Sequence, residues 1–302
     1  MILRFFNKTR LITIKRIRIE LLLLFSKCFS DQAFIEKMYR LRIGHELNLN
    51  EPQTFNEKLQ WLKLYDRRPQ YTKMVDKYEA KIFVSKIIGL EHIIPTYGIY
   101  NKFDEIDFDS LPNQFVLKCT HDSGGIIICK DKSKFNIINA KRKLNKSLRR
   151  SYYYHKREWP YKDVIPRIIV EQYMEDESGW QLKDYKIFCF NGEPKFIEVD
   201  YDRYVGHKLN VYDLDWNFID FYMTSPNDKN VKINKPEKLG DMLDYSRKLS
   251  HGISFLRVDF YSINSKIYFG ELTFYPGSGM IDFHPKEYDS ILGRMLTLPT
   301  IF

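Results

Sequence analysis

The chain has 302 residues, 44% hydrophobic and 29% charged, a balance that excludes a disordered or fibrous polymer and leaves room for a sizeable core. A formal net charge of +9 invites anionic partners: nucleotide phosphates, anionic sugars, lipid headgroups. No recognisable nucleic-acid module accompanies the basic runs, so nucleic acid is set aside.

Residues 1–30 carry seven basic side chains (Arg4, Lys8, Arg10, Lys15, Arg16, Arg18, Lys27) against one acidic, Glu20. Their longest apolar run, Leu21–Phe25, is too short for a bilayer span, and no small-residue cleavage site follows it, so no signal peptide is expected. On a helical wheel Ile14, Ile17, Leu21, Leu24, Phe25 and Cys28 form one stripe, while Ile12 and Leu23 fall on the other side. The stripe either packs on the protein's own core or meets an anionic membrane surface. The four cysteines, Cys28, Cys119, Cys129 and Cys189, show no paired spacing, which fits a reduced, cytoplasmic protein. Cys119, His121 and Cys129 lack a fourth partner for zinc.

A helix is expected over Phe34–Arg42. Thr54, with Glu57 three residues on, reads as a capping box before Leu59, Trp61 and Leu62, and Arg67-Arg68-Pro69 ends that helix. One further helix is predicted from Tyr71 to Ile88, stopping at Gly89. From Phe115 the period changes to strands. Phe115–Thr120 and Ile126–Lys130 flank the loop His121-Asp122-Ser123-Gly124-Gly125. A basic helix follows over Lys141–Arg150, then a strand over Arg167–Tyr173. Asn191-Gly192 between Asp184–Phe190 and Pro194–Val199 is the strongest hairpin signal in the chain. Lys238–His251 reads as a helix, and Ser254–Ile263 with Lys266–Phe274 as a last hairpin. The fold class is α+β, with a mixed or antiparallel sheet and more than one lobe.

Three constellations could carry chemistry. In the first, Gly124 and Gly125 let backbone N–H groups approach an anion, with Lys118 on the preceding strand supplying positive charge; the same residues also make an ordinary hairpin turn. In the second, symmetric pairing about Ser265 sets Tyr261 opposite Phe269, Asp259 opposite Glu271, and Arg257 opposite Thr273. Arg257, Asp259, Glu271 and Thr273 then share one face. Two opposed carboxylates repel and need a solvated face, Arg257 or a divalent cation such as Mg²⁺ to offset them. The glycine-bearing stretch Tyr275-Pro276-Gly277-Ser278-Gly279 follows directly. In the third, Asp184 and Lys186 share a strand face, and Glu171 and Gln172 close another strand at a cleft edge.

In their order and spacing, these segments resemble the TupA-like branch of the ATP-grasp superfamily. The residues that carry the resemblance are Thr54-Phe55-Asn56-Glu57-Lys58, Val75-Asp76-Lys77-Tyr78, Phe115–Lys118, His121–Gly125, Ile169-Val170-Glu171-Gln172-Tyr173, Asp184-Tyr185-Lys186, Arg257-Val258-Asp259, and Glu271 with Pro276–Gly279. The resemblance implies an ATP-grasp fold in which two α+β lobes grip ATP. It divides the chain into a basic helical extension (1–72), a small α/β subdomain (73–113), a glycine-loop lid (114–172) and a C-terminal lobe with a metal-binding hairpin (173–302).

It further implies that Lys77 and Lys118 hold phosphates, that the loop with His121, Ser123, Gly124 and Gly125 lids the triphosphate, and that Glu171, Gln172 and Tyr173 touch adenine and ribose. Asp259, Glu271 and Thr273 would hold Mg²⁺, with Thr273 standing where these enzymes usually carry Asn. Arg257, Lys186 and Asp184 are the catalytic candidates. The implied activity is ATP- and Mg²⁺-dependent ligation of a carboxylate to an amine through an acyl phosphate. The partners implied are an anionic sugar or glycan and an amine donor, in cell-surface or capsular polysaccharide synthesis. The rivals are an ATP-dependent sugar phosphotransferase and a glycosyltransferase using the DxD of Asp213 and Asp215.

Overall fold

The computed structural model describes residues 14–177, 182–201 and 206–300. Helix α1 (Asp31–Ile43) starts where the Ser30 side chain accepts a hydrogen bond from the Ala33 N–H, and ends at left-handed Gly44. The capping box at Thr54 is formed: the Thr54 side chain accepts from the Glu57 N–H, and the Glu57 carboxylate accepts from the Thr54 N–H, opening α2 (Phe55–Tyr65).

The helix expected from Tyr71 to Ile88 is two helices, α3 (Gln70–Val75) and α4 (Lys77–Ile88). Asp76 breaks it. Its backbone is extended, and its carboxylate accepts from the N–H groups of Tyr78 and Glu79, which gives α4 a cap of its own. The break puts Lys77 at the first position of a helix, with its backbone N–H on the Thr120 carbonyl at 3.1 Å.

All strand pairings within the two sheets are antiparallel. Strands β1 (Thr96–Tyr100), β2 (Phe115–Cys119), β3 (Ile126–Cys129) and β4 (Ile168–Gln172) form a four-stranded sheet in the order β1-β4-β2-β3. β1, from the segment expected as a separate 73–113 subdomain, is therefore bonded into the same sheet as the lid strands. Helix α5 (Ile137–Leu148) covers one face of this sheet through Ala140 and Leu144, and the short α6 (Tyr152–Lys156) follows it.

The second sheet has six strands: β5 (Asp184–Phe190), β6 (Glu193–Tyr201), β7 (Lys208–Tyr212), β8 (Phe218–Ile219), β9 (Phe255–Ile263) and β10 (Lys266–Thr273), in the order β10-β9-β5-β6-β7-β8. Asn191 and Gly192 both have positive φ, as the Asn-Gly hairpin signal requires. Helix α7 (Leu239–Ser250) packs on this sheet, and α8 (Tyr288–Met295) packs on α2. Phe55, Leu59 and Leu62 of α2 are buried in the same core as the strands β5, β6 and β9, so the helices read as an N-terminal extension are partly built into the larger lobe.

The last hairpin departs from symmetric pairing. Its turn is Asn264-Ser265, both with positive φ, so Tyr261 lies opposite Tyr268 and Phe260 opposite Phe269. A bulge at Gly270 then absorbs one residue and restores the expected pairs, Asp259 with Glu271 and Arg257 with Thr273. Glycine eases the close approach there, because a Cβ would lie 3.0 Å from the Asp259 carbonyl oxygen. Before the bulge Ile267 and Phe269 face the core; after it Leu272 and Phe274 do.

Asp76 caps α4 and also pairs with Arg167 at 3.2 Å. Asp76→Ala is expected to destabilise the protein by about 1–2 kcal/mol, read as a lower midpoint in chemical denaturation, and an unchanged midpoint would show that the cap contributes nothing.

Candidate active site

Between the two sheets lies a cavity of about 200 Å³. Its apolar walls include Val116, Ile126, Ile128 and Met174, and Lys118, Glu171, Gln172 and Asp184 supply polar groups. Tyr173 also lines it, with the Lys130 ammonium 5.5 Å from its ring centroid. A slot with apolar walls and a few convergent polar groups suits a flat heteroaromatic base.

Lys118 enters the cavity from β2 because strand side chains alternate: Leu117 and Cys119 face the α5 side. Its ammonium is 2.6 Å from Glu171 Oε2, and Lys81 of α4 holds Glu171 Oε1. Burial alone would raise the Glu171 pKa, but Lys118 and Lys81 outweigh it and hold the carboxyl down at about 2. Lys81, absent from the sequence-derived site, lies one helical turn beyond Lys77, a spacing that puts both ammonium groups on one face of α4.

Lys77 donates to the Asp122 carbonyl oxygen at the foot of the glycine loop. Burial lowers its pKa, with the charges of Glu271 and Asp122 opposing, which marks the meeting of α4, the loop and the last hairpin. The loop closes on itself. Gly124 and Gly125 donate to Asp122 Oδ1 at 3.4 and 3.0 Å, so the N–H groups expected to meet an external anion here meet the loop's own carboxylate. The Ser147 hydroxyl holds the other Asp122 oxygen. His121 sits behind the loop, buried, with Nε2 at 3.2 and 3.1 Å from the carbonyl oxygens of Ser147 and Arg150. Ser123 and Gly124 form the exposed tip, and the Tyr152 hydroxyl is hydrogen-bonded to Ser123.

On the larger sheet, β5 and β9 bring Lys186 opposite Asp259, and β5 and β6 bring Lys186 opposite Glu198. The Lys186 ammonium contacts Glu198 Oε1 at 3.2 Å and also Asp200. Burial would lower its pKa, but the Glu198 and Asp200 carboxylates raise it above the ordinary lysine value. The Arg257 guanidinium is bidentate to Asp259 at 2.7 and 2.6 Å and reaches Glu271 Oε1 at 2.9 Å. The Thr273 hydroxyl donates to the same Glu271 oxygen at 2.9 Å. Burial lifts the Asp259 carboxyl, with Arg257 opposing. Among the described residues there is no group of three or more His, Cys, Asp and Glu side chains arranged to hold a metal. The donor set does fit Mg²⁺ all the same: two facing carboxylates and a hydroxyl, already bridged by a cation, suit an ion that takes few protein oxygens and completes its shell with phosphate and water.

Glu198 and Asp200 were legible by the alternation that located Asp259 and Glu271, since both lie on the strand paired with β5. The stretch Pro276–Gly279 follows β10, with Gly277 and Ser278 left-handed and Gly279 also at positive φ. Lys63 and Gln60 of α2 hold it from beneath: the Lys63 ammonium donates to the Ser278 carbonyl at 2.7 Å and to its hydroxyl at 2.9 Å. Burial lowers the Lys63 pKa and raises that of neighbouring Glu158. No pattern in the sequence singles out Lys63, a lysine on the buried face of a helix.

The DxD pair lies elsewhere. Asp213 caps its own turn by accepting from the N–H groups of Asp215 and Asn217 at 3.0 and 2.7 Å, between β7 and β8 at the far edge of the sheet from β9 and β10.

Two antiparallel sheets enclosing a cleft, with lysines on the smaller and a carboxylate hairpin on the larger, define the ATP-grasp class of ligases. The chain belongs to the TupA-like ATP-grasp family, whose family model matches residues 57–297. Comparison with curated proteins gave no match. Among solved structures, D-alanine–D-alanine ligase from Helicobacter pylori is 15% identical at a TM-score of 0.42, over 82% of this chain and 70% of that one. The ATP complex of the Bacillus anthracis D-alanine–D-alanine ligase is 14% identical at a TM-score of 0.37, over 72% of this chain and 55% of that one. The ATP-grasp ligase PsnB with a minimal precursor, Mg and ADP is 9% identical at a TM-score of 0.37, over 72% and 57%.

Because the folded Glu171 pKa lies below its ordinary value of 4.5, its contribution to stability is complete above that value and is lost as pH falls towards about 2. Glu171→Gln leaves Lys81 and Lys118 without their shared counter-charge and is expected to cost about 3 kcal/mol at neutral pH. It should also flatten the acid limb of the stability profile, measured by denaturation from neutral pH downward. An acid limb as steep as that of the parent would remove Glu171 from the account.

Proposed function

We propose that the protein is a cytoplasmic ATP- and Mg²⁺-dependent carboxylate–amine ligase that modifies a cell-surface polysaccharide or its precursor at the inner face of the membrane. The observation that carries the chemistry is the convergence of Lys77, Lys186 and Arg257 on the Asp259–Glu271 pair, with Lys118 next to Lys77. No uncomplexed anion would find so many cations and two carboxylates in register. A triphosphate with a divalent ion does. The base sits in the slot beside Glu171, Gln172 and Tyr173, and Lys77 and Lys118 neutralise phosphates once they leave their resting partners. Asp259, Glu271 and Thr273 would hold Mg²⁺, which supplies charge neutralisation at the phosphate oxygens.

Lys186 and Arg257 face the same space and stabilise the negative charge of phosphoryl transfer. A substrate carboxylate oxygen attacks the γ-phosphorus, the bond from the γ-phosphorus to the β,γ-bridging oxygen breaks, and ADP leaves. The amine then attacks the acyl carbon and phosphate departs. The amine's proton leaves with the departing phosphate, and Asp184 lines the slot given to the base. Family membership, together with the chain's excess of basic residues, supports a uronic acid as the acid and an amino acid or amino sugar as the amine. A sugar phosphotransferase would use the same lysines and carboxylates. Nothing favours the glycosyltransferase, whose Asp213 is committed to a turn.

Saturating ATP with Mg²⁺ is expected to raise the melting temperature by roughly 5 °C, and ATP with EDTA by much less. A shift with UDP-sugars and none with ATP would overturn the proposal. Asp259→Asn and Glu271→Gln should each slow ADP release by about a hundredfold or more while staying folded at the assay temperature. Asp259→Asn should have a lowered melting temperature, because Arg257 loses its bidentate partner. Turnover retained in either folded variant would refute the metal assignment. Lys118→Ala should weaken ATP binding, and unchanged affinity would detach the lysine from the phosphates.

A further inference from the structure

Residues 14–24 are helical, and the helix is apolar on two sides. Ile19, Leu22 and Leu23 pack on Phe34, Met38 and Met280. The stripe picked out by the helical wheel is the other side. Ile14, Ile17, Leu21, Leu24 and Phe25 are all exposed, Leu24 to 74% and Phe25 to 54%. Of the two residues that fall off the stripe, Leu23 packs on the protein's own core together with Ile19 and Leu22, and Ile12 lies outside the described residues; the stripe itself is left uncovered among the described residues. One helical turn after another of large apolar side chains in water is unfavourable and marks a contact surface.

The stripe continues into an open groove of about 630 Å³ between this helix and α1, floored by Leu21, Phe25, Phe29 and Leu41. Its rim is cationic: Arg18, Lys37 and Arg40 line it, and no carboxylate does. Lys15, Arg16 and Lys27 lie on the same short segment. Glu20 is paired with Arg16, Glu46 offsets Arg40 at 3.1 Å, and Asp31 is turned inward to Arg67 and Arg157. Among the described residues no carboxylate is paired with Arg18, Lys27 or Lys37.

We propose that this face, the helix over residues 14–24 with the adjoining groove, docks the protein on an anionic lipid surface. Apolar side chains would enter the headgroup–acyl boundary while the flanking cations meet acidic headgroups. A protein partner would require a counter-surface both apolar and acidic; a bilayer with anionic lipids presents that combination everywhere. No described helix is long and apolar enough to cross a membrane, so the mode is peripheral. The helix is fixed to the rest of the chain through Arg157, whose buried guanidinium binds the carbonyl oxygens of Ser26 and Phe29, so the bound face holds a set orientation relative to the catalytic cleft.

The inference adds a named surface and a lipid chemistry to the membrane location proposed above, and its test does not depend on catalysis. The full chain is sedimented with vesicles of phosphatidylcholine alone and with vesicles containing about 30 mol% phosphatidylglycerol. Binding to the anionic vesicles should exceed binding to the neutral ones at least about tenfold and fall steeply as salt is raised. Leu24→Asp combined with Phe25→Asp should weaken it about tenfold or more with an unchanged melting temperature, since both side chains stand in solvent. Arg18→Glu with Lys37→Glu should remove the preference for anionic lipid. Equal sedimentation of parent and Leu24→Asp/Phe25→Asp, or no sedimentation at all, overturns the proposal. So does a concentration-dependent dimer in light scattering that the same double variant dissolves, because the face would then join two copies of the chain.

Discussion

A lysine or arginine enclosed by protein loses its hydration and must recover that free energy from a counter-charge or from carbonyl dipoles. In this molecule five cations of the cleft do so. Lys118 and Lys81 share Glu171, Lys77 takes a carbonyl oxygen of the glycine loop, Lys186 lies between Glu198 and Asp200, and Arg257 bridges Asp259 and Glu271. The two sheets are brought together around these pairs, and the geometry of the site follows from them. Each pairing also has a cost in function: a cation that grips a carboxylate must release it, or share it, before it can hold a phosphate. The resting site is internally neutralised, and nucleotide binding is an exchange of partners.

Much of this was legible in the order of the residues. Asn191-Gly192, the Thr54 capping box and the alternation along β9 each pair a local conformation with a residue type that few other conformations want, and the structure has all three. Counting residues about the turn also set Asp259 opposite Glu271, although the turn is one residue tighter than the count assumed and the bulge at Gly270 makes up the difference. What escaped notice came from interactions between segments distant in sequence. Asp76 breaks a helix that periodicity carries straight through it, because its carboxylate competes for the N–H groups of Tyr78 and Glu79 and is itself paired with Arg167. Lys63 carries no mark in the sequence, because what buries it is the stretch Pro276–Gly279, more than 200 positions later, laid over it.

The N-terminal helix gives the same lesson from the other side. A wheel shows one regular stripe and a few apolar residues off it but not which side the rest of the chain will claim. Met280, Phe34 and Met38 claim Ile19, Leu22 and Leu23, and only that choice leaves the regular stripe in solvent. Amphipathicity is a property of the helix; exposure is a property of the fold.

The bulge at Gly270 has a consequence for how the hairpin tolerates changes of length. Side chains on a strand alternate, so the bulge is what lets Phe269 and Leu272, three positions apart, both face the core. Deleting the single codon for Gly270 would leave them two apart in a continuous ladder with no irregularity to absorb. If the core kept Ile267 and Phe269, Leu272 would stay inside as their regular successor, and Glu271 would follow Phe269 directly, opposite Asp259 as before. The extra residue is therefore the one position of this stretch whose loss leaves every pair where it stood. A deletion of any paired residue between the turn and Glu271 has no such outlet and would change the address of Phe269 or of the acidic pair.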